Sequence, residues 1–249
     1  MIPARYASTR LPGKPLADIN GVPMIVRVAE QASRSEASEV VVATDDERVM
    51  SAVISAGFAA EMTAVDHPSG SDRVMEVARK RGWGSEDAVI NVQGDEPLIP
   101  PGVINQVAAN LAEDPNLAAA TLCEPISSRA ELFDVNAVKV VCRADRRALY
   151  FSRAPIAYAR DEFAQETQSE GLPGVGSWWR HIGIYAYRVW ALEKFVALPE
   201  SSLEKLECLE QLRLLENGME IRVDEACEAV PGGVDTPEDL RRVQAEFET

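Results

Sequence analysis

Three fixed cations, Arg5, Arg10 and Lys14, sit in the short run R-Y-A-S-T-R-L-P-G-K-P-L at residues 5–16. Small and turn-forming residues separate them, a composition suited to wrapping the backbone around a multiply charged anion such as a triphosphate. Gly13 stands alone, and neither G-x-G-x-x-G nor G-x-x-x-x-G-K-[ST] fits the run, so side chains must do more of the holding than backbone amides. The residues by themselves leave a second reading open, a basic surface turn on an acidic protein. Asp95, in Q-G-D-E-P, follows an apolar run and so stands where an open α/β sheet presents its ligand-binding groups. A carboxylate there suits Mg2+, which takes one or two protein carboxylates and leaves the rest of its octahedron to phosphates and water. The candidate partner is Asp235 in G-G-V-D-T-P, where glycines allow close backbone approach; the alternative is that Asp235 merely caps the helix after it.

These residues need a scaffold. The continuous apolar runs at 40–44 and 88–93 suit buried parallel strands, and residues 24–31, 47–56 and 72–79 read as amphipathic helices. Strand and helix alternation through the first half predicts a doubly wound, mostly parallel α/β sheet with ligand at the carboxyl ends of its strands. The middle changes character: residues 137–142 and 148–152 form an expected hairpin about a turn at 144–147, and 182–187 a later strand, which together imply a smaller mixed α/β lobe. Residues 161–176, rich in Glu, Gln, Gly and Ser, read as a surface loop or lid. Residues 201–217 read as one helix, with a capping box of Ser201 and Glu204, a stripe of Leu203, Leu206, Leu209, Leu212 and Leu215, and Gly218 as its stop. The last helix opens with Thr236 as cap and Pro237 in its first turn. H-P-S-G-S-D-R at 67–73 is a turn leading into a helix start whose amides can donate, with His67 as a turn residue.

Composition narrows the classes. A chain of 249 residues with 46% hydrophobic content fills a real interior. A formal charge of −15 argues against sequence-independent nucleic-acid binding, so any phosphate site is a local cationic pocket. No apolar stretch approaches a membrane span and the chain enters its basic loop without an export signal, so a cytoplasmic enzyme is expected. Cys123, Cys142, Cys208 and Cys227 lack C-x-x-C spacing and the histidines are His67 and His181, so reduced thiols and no structural zinc are expected.

The run at 5–16 closely resembles the amino-terminal signature of the CMP-Kdo synthetase (3-deoxy-manno-octulosonate cytidylyltransferase) family of Gram-negative bacteria. The resemblance continues in order through V-V-V-A-T-D-D, H-P-S-G-S-D-R, N-V-Q-G-D-E-P, L-Y-F-S-R, R-H-I-G-I-Y-A-Y, L-E-Q-L-R and V-D-T-P-E-D-L, across nearly the whole chain. It implies transfer of CMP from CTP to Kdo in lipopolysaccharide biosynthesis, with Mg2+ and a homodimer. Arg10 and Lys14 match positions that contact the triphosphate and stabilise the departing pyrophosphate, and Asp95 and Asp235 match the metal ligands. Pro3, Ala4 and Arg5 are expected to help seat the nucleotide, with Ser69, Gly70 and Gln93 beside cytidine and ribose. The sugar acid is expected to meet Arg73, Arg153, Arg180 and His181 as cations and Gln93, Tyr185, Glu210 and Gln211 as neutral or accepting groups. The implied organisation is a nucleotide-binding core at 1–122, a sugar-binding and dimerisation lobe at 123–224, and a closing segment at 225–249 that returns to the core. One departure stands out: only Met1 and Ile2 precede the loop, where the family carries several more apolar residues and a central strand runs about five to six. Reduced stability with an intact loop is the expectation.

Rival readings are a sister enzyme activating sialic acid or another sugar acid, a glycosyltransferase, and an idle nucleotide-binding protein of the same fold. Asp95-Glu96-Pro97 lacks the acid-x-acid metal motif common in glycosyl transfer, and the presence of Arg10, Lys14, Asp95 and Asp235 together speaks against an idle protein.

Overall fold

The computed structural model describes residues 1–7, 11–164, 171–174 and 176–247. Four strands run parallel at its centre. β1 (Ile2–Ala4) lies beside β4 (Val41–Thr44), and β4 beside β5 (Ala59–Met62). On the other side of β1, the Met1 nitrogen donates to the Ile90 oxygen (2.8 Å) and the Val92 nitrogen to the Met1 oxygen (2.9 Å). This alternation is that of a parallel pair, and it ties β1 to β6 (Ala88–Asn91). β1 includes Pro3 and Ala4, so strand continues further into the expected loop than its turn-forming composition suggests. A cavity of about 300 Å³ lies beside Met1, between residues 37–40 and 87–90.

Beyond β6 the sheet becomes mixed. β10 (Trp179–Arg188) pairs antiparallel with β6, with β7 (Ala119–Pro125) and with β8 (Lys139–Cys142). β8 forms the expected hairpin with β9 (Ala148–Ser152), while β11 (Ile221–Glu225) lies parallel to β7. A short ribbon, β2 (Asp18–Ile19) with β3 (Val22–Pro23), stands apart from the main sheet. Residues 122 and 123 both lie within β7, so the central sheet runs through that position.

Both faces are covered, as buried parallel strands require. Val42 of β4 packs with Ile2, Ile25, Val28, Val49 and Val103 on one side. Val41 and Ala43 pack with Val74, Val77, Tyr187 and Leu192 on the other. The first layer uses α1 (Met24–Ala32), α2 (Glu47–Ser55) and α4 (Pro101–Ala112), and the second uses α3 (Gly70–Arg81) and α7 (Val189–Ala197). Two short helices, α5 (Arg129–Phe133) and α6 (Arg160–Phe163), belong to the middle of the chain. α6 opens the stretch expected to be a loop or lid, most of whose remainder at 165–170 and 175 lies outside the described residues.

The single helix expected at 201–217 is two: α8 (Ser202–Glu207) and α9 (Gln211–Glu216). The capping box of Ser201 and Glu204 is present, but Cys208 takes φ 54° and breaks the helix. Strict spacing by three explains the error, because an α-helix turns about 100° per residue and such a stripe slips about 60° at each step. One straight helix cannot bury all five leucines, and Leu206 is left 80% exposed while Leu212 is fully buried. The final helix, α10 (Pro237–Glu246), is capped by Thr236, whose hydroxyl accepts from the Asp239 nitrogen. Among the described residues no helix is long and apolar enough to cross a membrane.

Candidate active site

The parallel strands β1, β4 and β6 end on one side of the sheet, and there the predicted groups converge. A cleft of about 490 Å³ is lined by Pro3, Ala4, Arg5 and Lys14 from the first loop, and by Ser69, Gly70 and Arg73 at the start of α3. Gln93 and Asp95 enter after β6, Glu210 before α9, and Asp235 before α10. Its volume is that of a small-molecule site. Arg10 lies outside the described residues.

Two loops far apart in sequence bring the aspartates together. The Val234 nitrogen donates to the Asp95 oxygen at 2.8 Å. A Cβ on Gly233 would stand 3.0 Å from that same oxygen, and one on Gly94 only 2.7 Å from the Pro3 oxygen, so both close approaches need glycine. Thr236 and Asp239 cap α10 reciprocally, and the Asp235 carboxylate accepts from Lys14 Nζ. Lys14 Nζ lies 2.5 Å from Asp95 Oδ2 and 2.9 Å from Asp235 Oδ1. One cation held between two hard oxygen donors marks a place with the charge and donor chemistry for Mg2+. Among the described residues no group of three or more His, Cys, Asp or Glu side chains could hold a metal; Mg2+ commonly takes one or two protein carboxylates, with phosphates and water completing its octahedron.

Neighbouring contacts shape the cleft. Ser69 caps α3, its hydroxyl accepting from the Asp72 nitrogen, while Arg5 donates to the His67 oxygen. Glu210 accepts from Ser71 Oγ at 3.1 Å, and burial pushes its carboxyl above the ordinary range. A bulge in β10 between Ile182 and Tyr185 directs the Gly183 oxygen to Gln93 Nε2, 3.1 Å away. Beside Asp95, the Glu96 carboxyl is pushed up to about 8, first by burial and then by the Asp95 charge. The D-E-P string held that signal, but only the fold reveals the burial.

The cations expected for a sugar carboxylate each have partners within the protein. Arg73 is fully buried and donates to Asp45 Oδ2 (2.9 Å) and to Thr63 Oγ1. Arg153 donates to the oxygens of Glu207 (2.7 Å), Val135 (2.9 Å) and Cys208 (3.4 Å), clamping the break between α8 and α9. Arg180 pairs with Glu124 and with Glu131. His181 packs against Phe151 and Tyr185, and burial, then Arg180, lowers its pKa to about 3, so at neutral pH it carries no charge. Arg153, His181, Tyr185 and Gln211 are not among the described residues lining the cleft. Tyr185 Oη and Gln211 Nε2 are buried and lack a hydrogen-bond partner among the described residues.

The family model described as cytidylyltransferase matches residues 1–221. The 3-deoxy-manno-octulosonate cytidylyltransferase of Alcanivorax borkumensis is 56% identical over 99% of this chain and 97% of its own length. That of Cellvibrio japonicus is 54% identical over 100% and 97%. A solved structure of CMP:2-keto-3-deoxy-manno-octonic acid synthetase complexed with CTP superposes with TM-score 0.89 at 46% identity, over 99% of this chain and 96% of that one. A nucleotidyl transferase from Methanothermobacter, 16% identical with TM-score 0.59 over 100% and 98%, shares the fold.

Proposed function

The chain belongs to the 3-deoxy-manno-octulosonate cytidylyltransferase family, and on that premise we propose that it transfers CMP from CTP to the anomeric hydroxyl of Kdo, releasing pyrophosphate. The observation that carries this reading is the convergence of Lys14, Asp95 and Asp235 at one cleft whose walls are the first loop and the start of α3. In the reaction the anomeric oxygen forms a bond to the α-phosphorus while the bond to the oxygen bridging α and β phosphorus breaks. Pyrophosphate leaves with that electron pair, and the hydroxyl proton passes to water. No covalent enzyme intermediate is required.

Arg10 and Lys14 hold the triphosphate and stabilise charge as it develops on the departing oxygen, an effect typically worth about 10²-fold or more per donor. Pro3, Ala4, Arg5, Ser69, Gly70 and Gln93 seat the nucleotide. Asp95 and Asp235 would hold Mg2+, which when bound polarises the phosphate and acidifies the attacking hydroxyl. For the sugar we retain Arg73, Gln93, Arg153, His181, Tyr185, Glu210 and Gln211. Arg73, Gln93 and Glu210 have the most direct support because they line the cleft.

The further proposals are a cytoplasmic reaction feeding lipopolysaccharide synthesis and a homodimer through the middle lobe. The nucleotide core at 1–122, the middle lobe at 123–224 and the closing segment at 225–249 form the functional division. A coupled pyrophosphate assay across sugar acids tests the substrate. Turnover with Kdo is the expected result; none with Kdo and turnover with a nine-carbon acid would overturn it.

A further inference from the structure

The Thr-Asp-Asp turn after β4 is not consumed by the reaction just described, yet its side chains close on the first loop. Tyr6 is the residue they hold. Asp45 Oδ1 accepts from the Tyr6 backbone nitrogen at 3.1 Å, while Asp45 Oδ2 takes the buried Arg73. Asp46 caps α2 through the Arg48 nitrogen and holds the Arg48 guanidinium with both carboxylate oxygens, at 3.0 and 2.6 Å. So held, the Arg48 guanidinium lies over the Tyr6 ring with Cζ 3.7 Å from its centroid. On the ring's far end, a Cβ at Gly13 would come within 3.1 Å of Tyr6 Oη, so the hydroxyl sits against the stretch that leads into Lys14.

Tyr6 is thus held at its amide and its ring face, and its hydroxyl end lies beside Gly13, with Arg5 before it and Lys14 beyond Gly13. From this we infer that Asp45, Asp46 and Arg48 form a clamp on Tyr6 that sets the pose of the triphosphate loop, and that Tyr6 and Arg48 are positioning residues for the phosphate end of the nucleotide. None of the clamp residues Asp45, Asp46, Tyr6 and Arg48 lines the cleft. Preorganisation of the loop lowers the ordering cost of seating the phosphates, so the clamp acts on phosphate affinity and not on the base or the sugar acid.

The inference rests on the proposed function for the identity of the ligand, and its test separates the two. Arg48 suits substitution because its side chain is 61% exposed and its loss opens no cavity. Pyrophosphate and CMP, each with Mg2+, are titrated calorimetrically into the wild type and Arg48→Ala. Arg48→Ala is expected to weaken pyrophosphate about two- to fivefold, the range of an exposed cation–π contact, and to raise KM for CTP alike. CMP affinity, KM for Kdo and the melting temperature are expected to stay at wild-type values. Tyr6→Leu should weaken pyrophosphate similarly, and Tyr6→Phe, which keeps the ring, should restore most of the loss. Unchanged pyrophosphate affinity in Arg48→Ala, an equal weakening of CMP, or a phenylalanine variant as impaired as the leucine one overturns the clamp. If the wild type fails to turn over CTP with Kdo, the proposed function falls while the pyrophosphate comparison still decides the clamp.

Discussion

Lys14 carries two relationships at once: its ammonium balances Asp95 and Asp235, and in the proposed reaction it faces the departing phosphate. Removing it separates them. Lys14→Met is expected to lower turnover about 10²-fold while raising the affinity of the nucleotide-free protein for Mn2+, because the carboxylates lose a competing cation. Mn2+ titration followed by electron paramagnetic resonance checks this; weaker Mn2+ binding would contradict it. His181 makes a pH prediction. Its folded-state pKa of about 3 lies below the unfolded value near 6.5, so the unfolded chain binds the proton first on acidification. Its contribution to stability is complete above about pH 6.5 and is lost as pH falls toward about 3. Melting temperatures between pH 7 and 5 should fall less steeply in His181→Gln than in the wild type; the amide keeps a polar group toward Thr121, whose Oγ1 lies 3.0 Å from His181 Nε2. At this scale the sequence was readable where chain neighbours fix the geometry, as with Asp95 after its strand. It did not announce the partners that Arg73, Arg153, Arg180 and His181 have within the protein, because nothing local shows that Asp45, the oxygens near Glu207, Glu124 and the packing around Phe151 will meet them.

Helix and strand starts followed their local chemistry. Asp46, Ser69, Ser201 and Thr236 each accept from a first-turn nitrogen, and the hairpin of β8 and β9 closes where the sequence turns. The leucine stripe misled because a repeat of three resembles amphipathicity over one turn and drifts off the face over four. The break at Cys208 lies two residues before Glu210, which lines the cleft, and Arg153 bridges the break. A non-glycine residue in the left-handed region costs about 1–2 kcal/mol. Cys208→Gly is therefore expected to stabilise the protein by up to about 1 kcal/mol after the entropy of glycine is counted, and Cys208→Val to destabilise it by at least as much. Urea denaturation measures both; equal stability of the two variants would show that the break carries no strain.

Across the molecule, one sheet gathers residues from the two ends of the chain. Lys14 comes from its first loop and Asp235 from its last, and Asp95 stands between them with its backbone oxygen tied to Val234. The alternation of strands and helices made the parallel half legible, whereas antiparallel β10, the partner of three strands, was visible in the sequence as a strand but not as the centre of the second half. A net charge of −15 surrounds a site built to hold a nucleoside triphosphate, so local cations and a divalent ion must outweigh the global field. The proposed reaction rests on Asp95, whose side chain meets Lys14 while the fold uses its backbone oxygen. The most direct measurement is pyrophosphate release from CTP and Kdo in Mg2+ by the wild type and Asp95→Asn. The predicted result is rapid release by the wild type and a loss of about 10²-fold or more in the variant at an unchanged melting temperature; wild-type release by Asp95→Asn would contradict the account.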